Sequence, residues 1–69
     1  MNNVIWFILE GETSNDDFVQ KELGVMDFID FNDAVNTAVD EATGIILENG
    51  GSGTINIIYN NEFITNVVI

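Results

Sequence analysis

Val4-Ile5-Trp6-Phe7-Ile8-Leu9 is an unbroken apolar run closed by Glu10-Gly11. A short continuous run bounded by turn residues predicts a strand buried on both faces, and therefore one in the middle of a sheet. Residues 10–17 include Gly11, Thr13, Ser14 and Asn15 and read as a polar turn or loop. Residues 18–23 fit two elements. Asn15 can cap a short helix with Asp16 and Asp17 in its first turn and Gly24 just past its end. The same residues can instead run on as a strand through Val25-Met26-Asp27-Phe28-Ile29, and a second strand, at least over 25–29, is the expectation.

Asp30 opens the clearest element. It is a favourable N-cap, and Asp33, at the third helical position, lies near the positive end of the helix dipole. Ile29 and Ala34 have the spacing of a hydrophobic staple across that cap. Phe31, Val35, Ala38, Ala42, Ile45 and Ile46 recur at three- and four-residue intervals, which makes one apolar stripe. Asn49-Gly50 closes the helix. Gly44 is its weak point, because glycine in a helix interior costs about 1 kcal/mol against alanine. If the helix ended there, residues 45–49 would become a strand turning through Gly50-Gly51.

Residues 54–59 and 63–69 are β-branched runs joined through Asn60-Asn61. Asparagine tolerates positive φ, so a tight hairpin is expected. The sum is an α+β fold in one domain over residues 1–69: a three- or four-stranded, mostly antiparallel sheet with one long helix packed on one face. One helix cannot cover both faces of that sheet. Either a short second helix or another chain has to lie on the other face, and a homodimer is one way to supply it.

Composition adds exclusions. Hydrophobic residues make up 46% of the 69, too many for a disordered acidic tail. There is no cysteine for a disulfide or thiolate, and no histidine to serve as a general base or metal ligand. The longest apolar run is six residues, against the roughly 20 of a membrane span. The start Met1-Asn2-Asn3 lacks the basic region of a secretory signal. A cytoplasmic chain without membrane contact is the expectation.

Charge changes the picture most. Charged residues are 19% of the chain, yet twelve are acidic and Lys21 is the only base. The net charge of −11 exceeds the magnitude of about 2–8 that keeps a small domain soluble. Asn and Ile occur ten times each and share A/T-rich codons with Lys, so the shortage of Lys is not one of base composition.

The chemistry that such a chain can carry is narrow. A hydrolytic nucleophile needs an adjacent base, and without His or Cys the choice shrinks to Ser14, Ser52, a threonine or a carboxylate. No catalytic constellation emerges, and no enzyme is expected. Asp27, Asp30 and Asp33, or Asp16 with Asp17, offer oxygens, but the alternating Asp/Asn, Gly and distal Glu of a calcium loop are missing. Asn49-Gly50-Gly51-Ser52-Gly53 lacks the Gly-Lys-Ser/Thr ending of a phosphate loop and reads as a helix cap and turn. No metal or cofactor is expected. Direct nucleic-acid binding would need the missing lysines and arginines.

The acids themselves remain. Asp33, Asp40, Glu41 and Glu48 project away from the apolar stripe, at axial steps of roughly 10 Å from Asp33 to Asp40 and 12 Å from Asp40 to Glu48. Glu10, Glu12, Asp16 and Asp17 form a second cluster at the loop after the first strand. A charge run on a helix is ordinarily its solvated face. Here, however, no cation occupies the last turn, where one would contribute about 0.3–1 kcal/mol. No Glu/Lys pair exists along the helix, although each contributes about 0.2–0.5 kcal/mol. Stability forgone on a small domain points to the uniform negative field as the function. Such a field steers a protein onto a basic surface, and the commonest of these inside cells bind nucleic acid.

In size, acidity and cofactor-free α+β make-up the chain resembles the small phage-encoded inhibitors of bacterial defence. These include anti-CRISPR and antirestriction proteins and the uracil-DNA glycosylase inhibitors, several of which imitate DNA. The resemblance is one of composition over the whole chain and transfers no residue. It implies a stoichiometric inhibitor in the bacterial host cytoplasm, with an acidic face on the basic surface of a nucleic-acid-binding protein. The acids either imitate DNA or complement a basic patch. The alternative is a structural or assembly module. It would bind through the uncovered apolar face or through the edge strand ending Asn66-Val67-Val68-Ile69, with acidity serving solubility alone.

Overall fold

The computed structural model describes residues 3–69; the start at Met1-Asn2, read above for a signal, lies outside them. Four strands and one helix follow in the order β1 (Ile5–Thr13), β2 (Val19–Val25), α1 (Phe31–Glu48), β3 (Gly53–Tyr59) and β4 (Glu62–Val68). The strands form one sheet in the order β2-β1-β3-β4, with every neighbouring pair antiparallel. The α+β expectation of one helix on an antiparallel sheet describes the fold, with four strands rather than three.

Helix α1 needs three devices from the sequence. Asp30 accepts from the Asp33 backbone N–H at 2.8 Å, and the Asp33 carboxylate reaches back to the Ile29 N–H at 2.9 Å, so two donors at the N-terminus are satisfied reciprocally. Ala34, Ala38, Ala42 and Ile46 repeat every four residues and are fully buried. Three alanines in a row let the helix backbone approach the sheet closely. At the far end the N–H groups of Asn49 and Gly51 both donate to the Ile46 carbonyl, which turns the chain out of the helix. The helix passes through Gly44 without a break.

The core lies between α1 and one face of the sheet. Phe7 and Leu9 of β1, Ile55 and Ile57 of β3 and Ile46 of α1 are its largest fully buried side chains. Burying each contributes about 1.5–3 kcal/mol relative to exposure. Phe7, Phe31 and Tyr59 meet over the first turn of the helix, with ring centroids 5.1–6.0 Å apart. The β3–β4 hairpin turns at Asn60 and Asn61, both with positive φ (54° and 65°), as the Asn-Asn pair predicts.

Several expectations require correction. β1 is central but buried on one side only. Phe7 and Leu9 face the helix, whereas Trp6 is 60% exposed on the other side. Residues 10–13 extend β1 rather than loop, because Glu10 and Glu12 alternate with Gly11 and Thr13 across a sheet whose second face is open. β2 covers 19–25, not 25–29. Val19, Leu23 and Val25 alternate inward, and residues 26–30 connect to the helix. The staple is not made. Ile29 is 92% exposed, and its backbone N–H, not its side chain, ties it to the helix start. The apolar stripe is centred on Ala34 rather than Phe31, which lies at its rim.

Candidate functional site

The eight acids singled out from the sequence fall in three places. Asp40 and Glu48 are exposed on α1, on the side away from the sheet. Asp33 and Glu41 lie on the same helix but are engaged within the fold. The Asp33 carboxylate caps the helix, and Glu41 binds Lys21 Nζ of β2 through its Oε2 at 2.5 Å. Asp16 and Asp17 sit in the β1–β2 turn. There Thr13 N–H donates to the Asp16 carbonyl at 2.8 Å and Asp16 N–H donates to the Thr13 carbonyl at 3.2 Å, which leaves both carboxylates outside the turn. Glu10 and Glu12 belong to β1 and to the sheet face opposite the helix. The cluster expected after the first strand is therefore split between a turn and a strand, and the helix acids are on the other side of the molecule.

Strand register defines that open face. Alternation turns Trp6, Ile8, Glu10 and Glu12 of β1 away from the helix, together with Gln20, Glu22 and Gly24 of β2. From β3 it turns Thr54, Asn56 and Ile58 the same way. The β-bulge at Ile57/Ile58 sets Phe63 of β4 opposite Ile58. Four rungs result. The first is Gly24 with Trp6; the second is Glu22, Ile8, Ile58 and Phe63. The third is Gln20, Glu10, Asn56 and Asn66, and the last is Glu12, Thr54 and Val68. The face is apolar and aromatic at the Trp6 end and acidic and amide-bearing beyond it. Among the described residues nothing covers it, and Phe63 and Val68 are 63% and 67% exposed.

Trp6 and Glu22 were missed by sequence reasoning. Glu22 could have been found from the alternation Val19, Lys21, Leu23, Val25 once 19–25 is read as a strand. Trp6 is hidden inside a run that is apolar throughout, so periodicity carries no signal for its face.

The far end of the same face, around the C-terminus of β1 and the N-terminus of β3, is concave. It is an open groove of about 500 Å³ lined by Glu12, Ser14, Ser52, Thr54 and Asn56 among others. It offers hydroxyls, one carboxylate and one amide. Ser14 Oγ donates to the Asn49 carbonyl at 3.5 Å, and no basic side chain adjoins it. Among the described residues every buried side-chain nitrogen and oxygen has a hydrogen-bond partner, and no three acids converge as metal ligands. Among the described residues no helix is long and apolar enough to cross a membrane.

Comparison with protein-family models, curated proteins and solved structures finds no match for this chain.

Proposed function

We propose that this protein is a non-catalytic, stoichiometric inhibitor. It lays an acidic surface, in the manner of nucleic acid, on the basic nucleic-acid-binding surface of a partner such as a CRISPR effector or a restriction enzyme. The observation that carries this reading is the pairing of the only lysine. Lys21 is held by Glu41, so no unpaired lysine or arginine interrupts the negative field of a chain whose net charge is −11. A field of one sign raises the encounter rate with a surface of the other and suppresses contact with acidic ones.

The test uses the immobilised chain and proteins of a bacterial extract first retained on DNA-cellulose. Retained proteins should elute as salt rises from about 50 to 500 mM, and duplex DNA should displace them at the lower salt. Capture that survives both treatments overturns the reading.

One observation favours a second reading. β4 is an edge strand of seven residues, Glu62–Val68, and carries none of the lysines or prolines that blunt such edges. An assembly module would add a partner strand there. In that case Val68→Lys abolishes the complex and Asp40→Lys leaves it intact. An inhibitor acting through its field responds to Asp40→Lys with slower association.

A further inference from the structure

The inhibitor reading leaves open which of the two acidic sides makes contact, since both the outer face of α1 and the open sheet face carry carboxylates. They differ in what surrounds those carboxylates. Around Asp40 and Glu48 the helix presents Asn36, Thr37 and one exposed leucine, Leu47, with no aromatic side chain among them. Glu22 and Glu10 instead flank an apolar strip in which Trp6 and Phe63 are exposed and Ile8 and Ile58 half-buried. Exposed aromatic side chains bordered by polar ones are what protein interfaces are enriched in.

Charge selects the occupant. A second copy would set Glu10, Glu12 and Glu22 against the same three residues, between two chains that each carry −11. A neutral apolar partner would strip water from those carboxylates without pairing them. Nucleic acid is repelled. A basic protein surface satisfies the acids and the apolar patch together, and arginine does so better than lysine. Its planar guanidinium stacks on an indole, pairs with a carboxylate through two hydrogen bonds, and carries an apolar stem.

The indole is prepared for this. Its six-membered ring lies against Gly24, where an added Cβ would come 3.0 Å from Trp6 Cη2 and Cζ3, while the residue stays 60% exposed. The ring thus touches the strand while most of the residue remains open to a partner. The next rungs hold Glu22 on the edge strand and Glu10 on the central one, about 7–8 Å apart as diagonal neighbours. The amides of Gln20 and Asn56 stand beside Glu10 as further acceptors, with Asn66 next to Asn56.

We propose that the open sheet face is the contact surface and that it takes an arginine-bearing basic protein surface. One guanidinium stacks on the free face of Trp6, and others pair with Glu22 and Glu10. This rests on the inhibitor reading and specifies its face and its partner chemistry.

The experiment titrates the full, isotope-labelled chain with decaarginine and decalysine peptides at low salt, following amide shifts and the emission of Trp6, the only tryptophan. Decaarginine should perturb the amides of Trp6, Ile8, Glu10 and Ile58 and the indole. It should bind about tenfold tighter than decalysine, the range of one cation–π and bidentate contact. Trp6→Leu should remove that preference. Glu10→Gln with Glu22→Gln, both on the solvent side of a folded sheet, should weaken decaarginine several-fold and leave the fold unchanged by circular dichroism. Shifts confined to the helix around Asp40 and Glu48 overturn the face while the inhibitor reading stands. Equal binding of the two peptides overturns the arginine assignment. A peptide-insensitive dimer in sedimentation, with Trp6 buried, makes a second copy the occupant and overturns the proposal. Failure of both peptides to bind at low salt overturns both the proposal and the reading beneath it.

Discussion

The indole of Trp6 on β1 covers the backbone of Gly24 on the edge strand β2, directly opposite it in register. The pair explains two residues at once. Glycine in a strand exposes backbone and packs nothing, and an aromatic neighbour laid across it restores the lost cover. It also anchors a large apolar ring at the sheet surface without burying it. Gly24→Ala puts a methyl group into the ring, and because the clash is with the end of a side chain the indole can lift away. The expected outcome is Trp6 emission shifted to longer wavelength, with a stability change below about 1 kcal/mol by urea unfolding. Unchanged emission would show that the ring does not rest on Gly24.

Gly11 contrasts with Gly24. A Cβ there would run into the Thr54 carbonyl oxygen and the backbone of Ile55, so β1 and β3 approach too closely for any side chain. Backbone cannot swing aside as an indole can. Gly11→Ala should cost about 2–3 kcal/mol, at the upper end of overpacking substitutions, seen as a lower urea midpoint with an unchanged slope. A variant as stable as the parent would mean that the strands separate there at little cost.

The Asp30–Asp33 cap yields a prediction whose sign runs against the charge. Removing an acid from a −11 chain relieves repulsion and should stabilise it. Asp30→Ala and Asp33→Ala should nevertheless each cost about 1 kcal/mol, and the double variant less than the sum, because the two side chains serve one helix start. Asp40→Ala, with no such role, should be neutral or stabilising. Thermal or urea unfolding of the four variants checks this, and a stabilising Asp33→Ala would remove Asp33 from the cap.

How much of this was legible in the chain differs from element to element. The helix was legible because its signals are local: a capping aspartate, apolar residues every three or four positions, and Asn49-Gly50 at the end. The β3–β4 hairpin was legible because two adjacent asparagines tolerate the left-handed backbone that its turn requires. The faces of β1 were not. A run that is apolar at every position reads as buried on both sides, yet whether anything covers the second side depends on elements elsewhere in the chain. The bond from the Ile29 N–H to Asp33 spans only four residues; it was hidden because residues 25–29 read as a strand rather than as the connection into the helix. Glu22 was hidden by the same misplaced strand, since its face follows from alternation once β2 is read as 19–25.

Salt separates the internal pair from the general field. Lys21 and Glu41 are both partly exposed, and such pairs contribute about 0.2–1 kcal/mol. The repulsion among the remaining acids is the larger electrostatic effect. Raising sodium chloride from about 20 to 500 mM shortens the screening length from about 20 Å to under 5 Å and should raise the urea midpoint. Lys21→Met should lie below the parent at low salt and approach it at high salt. A midpoint that falls with salt would mean that favourable pairs outweigh repulsion.

A charge-matched pair of variants tests the contact face once a partner is in hand. Asp40→Lys and Glu22→Lys each change the net charge by the same amount, so both should slow association to a similar degree through the overall field. Only Glu22 lies beside Ile8 on the open sheet face, whereas Asp40 is on the far side of the helix. A charge at a desolvated contact acts on dissociation, and one at a distance acts on encounter. Glu22→Lys should therefore also shorten the lifetime of the complex by about tenfold or more, the equivalent of one buried pair, and Asp40→Lys should leave it within about twofold. Surface-based kinetics at two salt concentrations read both rates. The reverse pattern, with a long-lived complex for Glu22→Lys and a short-lived one for Asp40→Lys, would move the contact to the outer face of α1, where no aromatic side chain accompanies the acids.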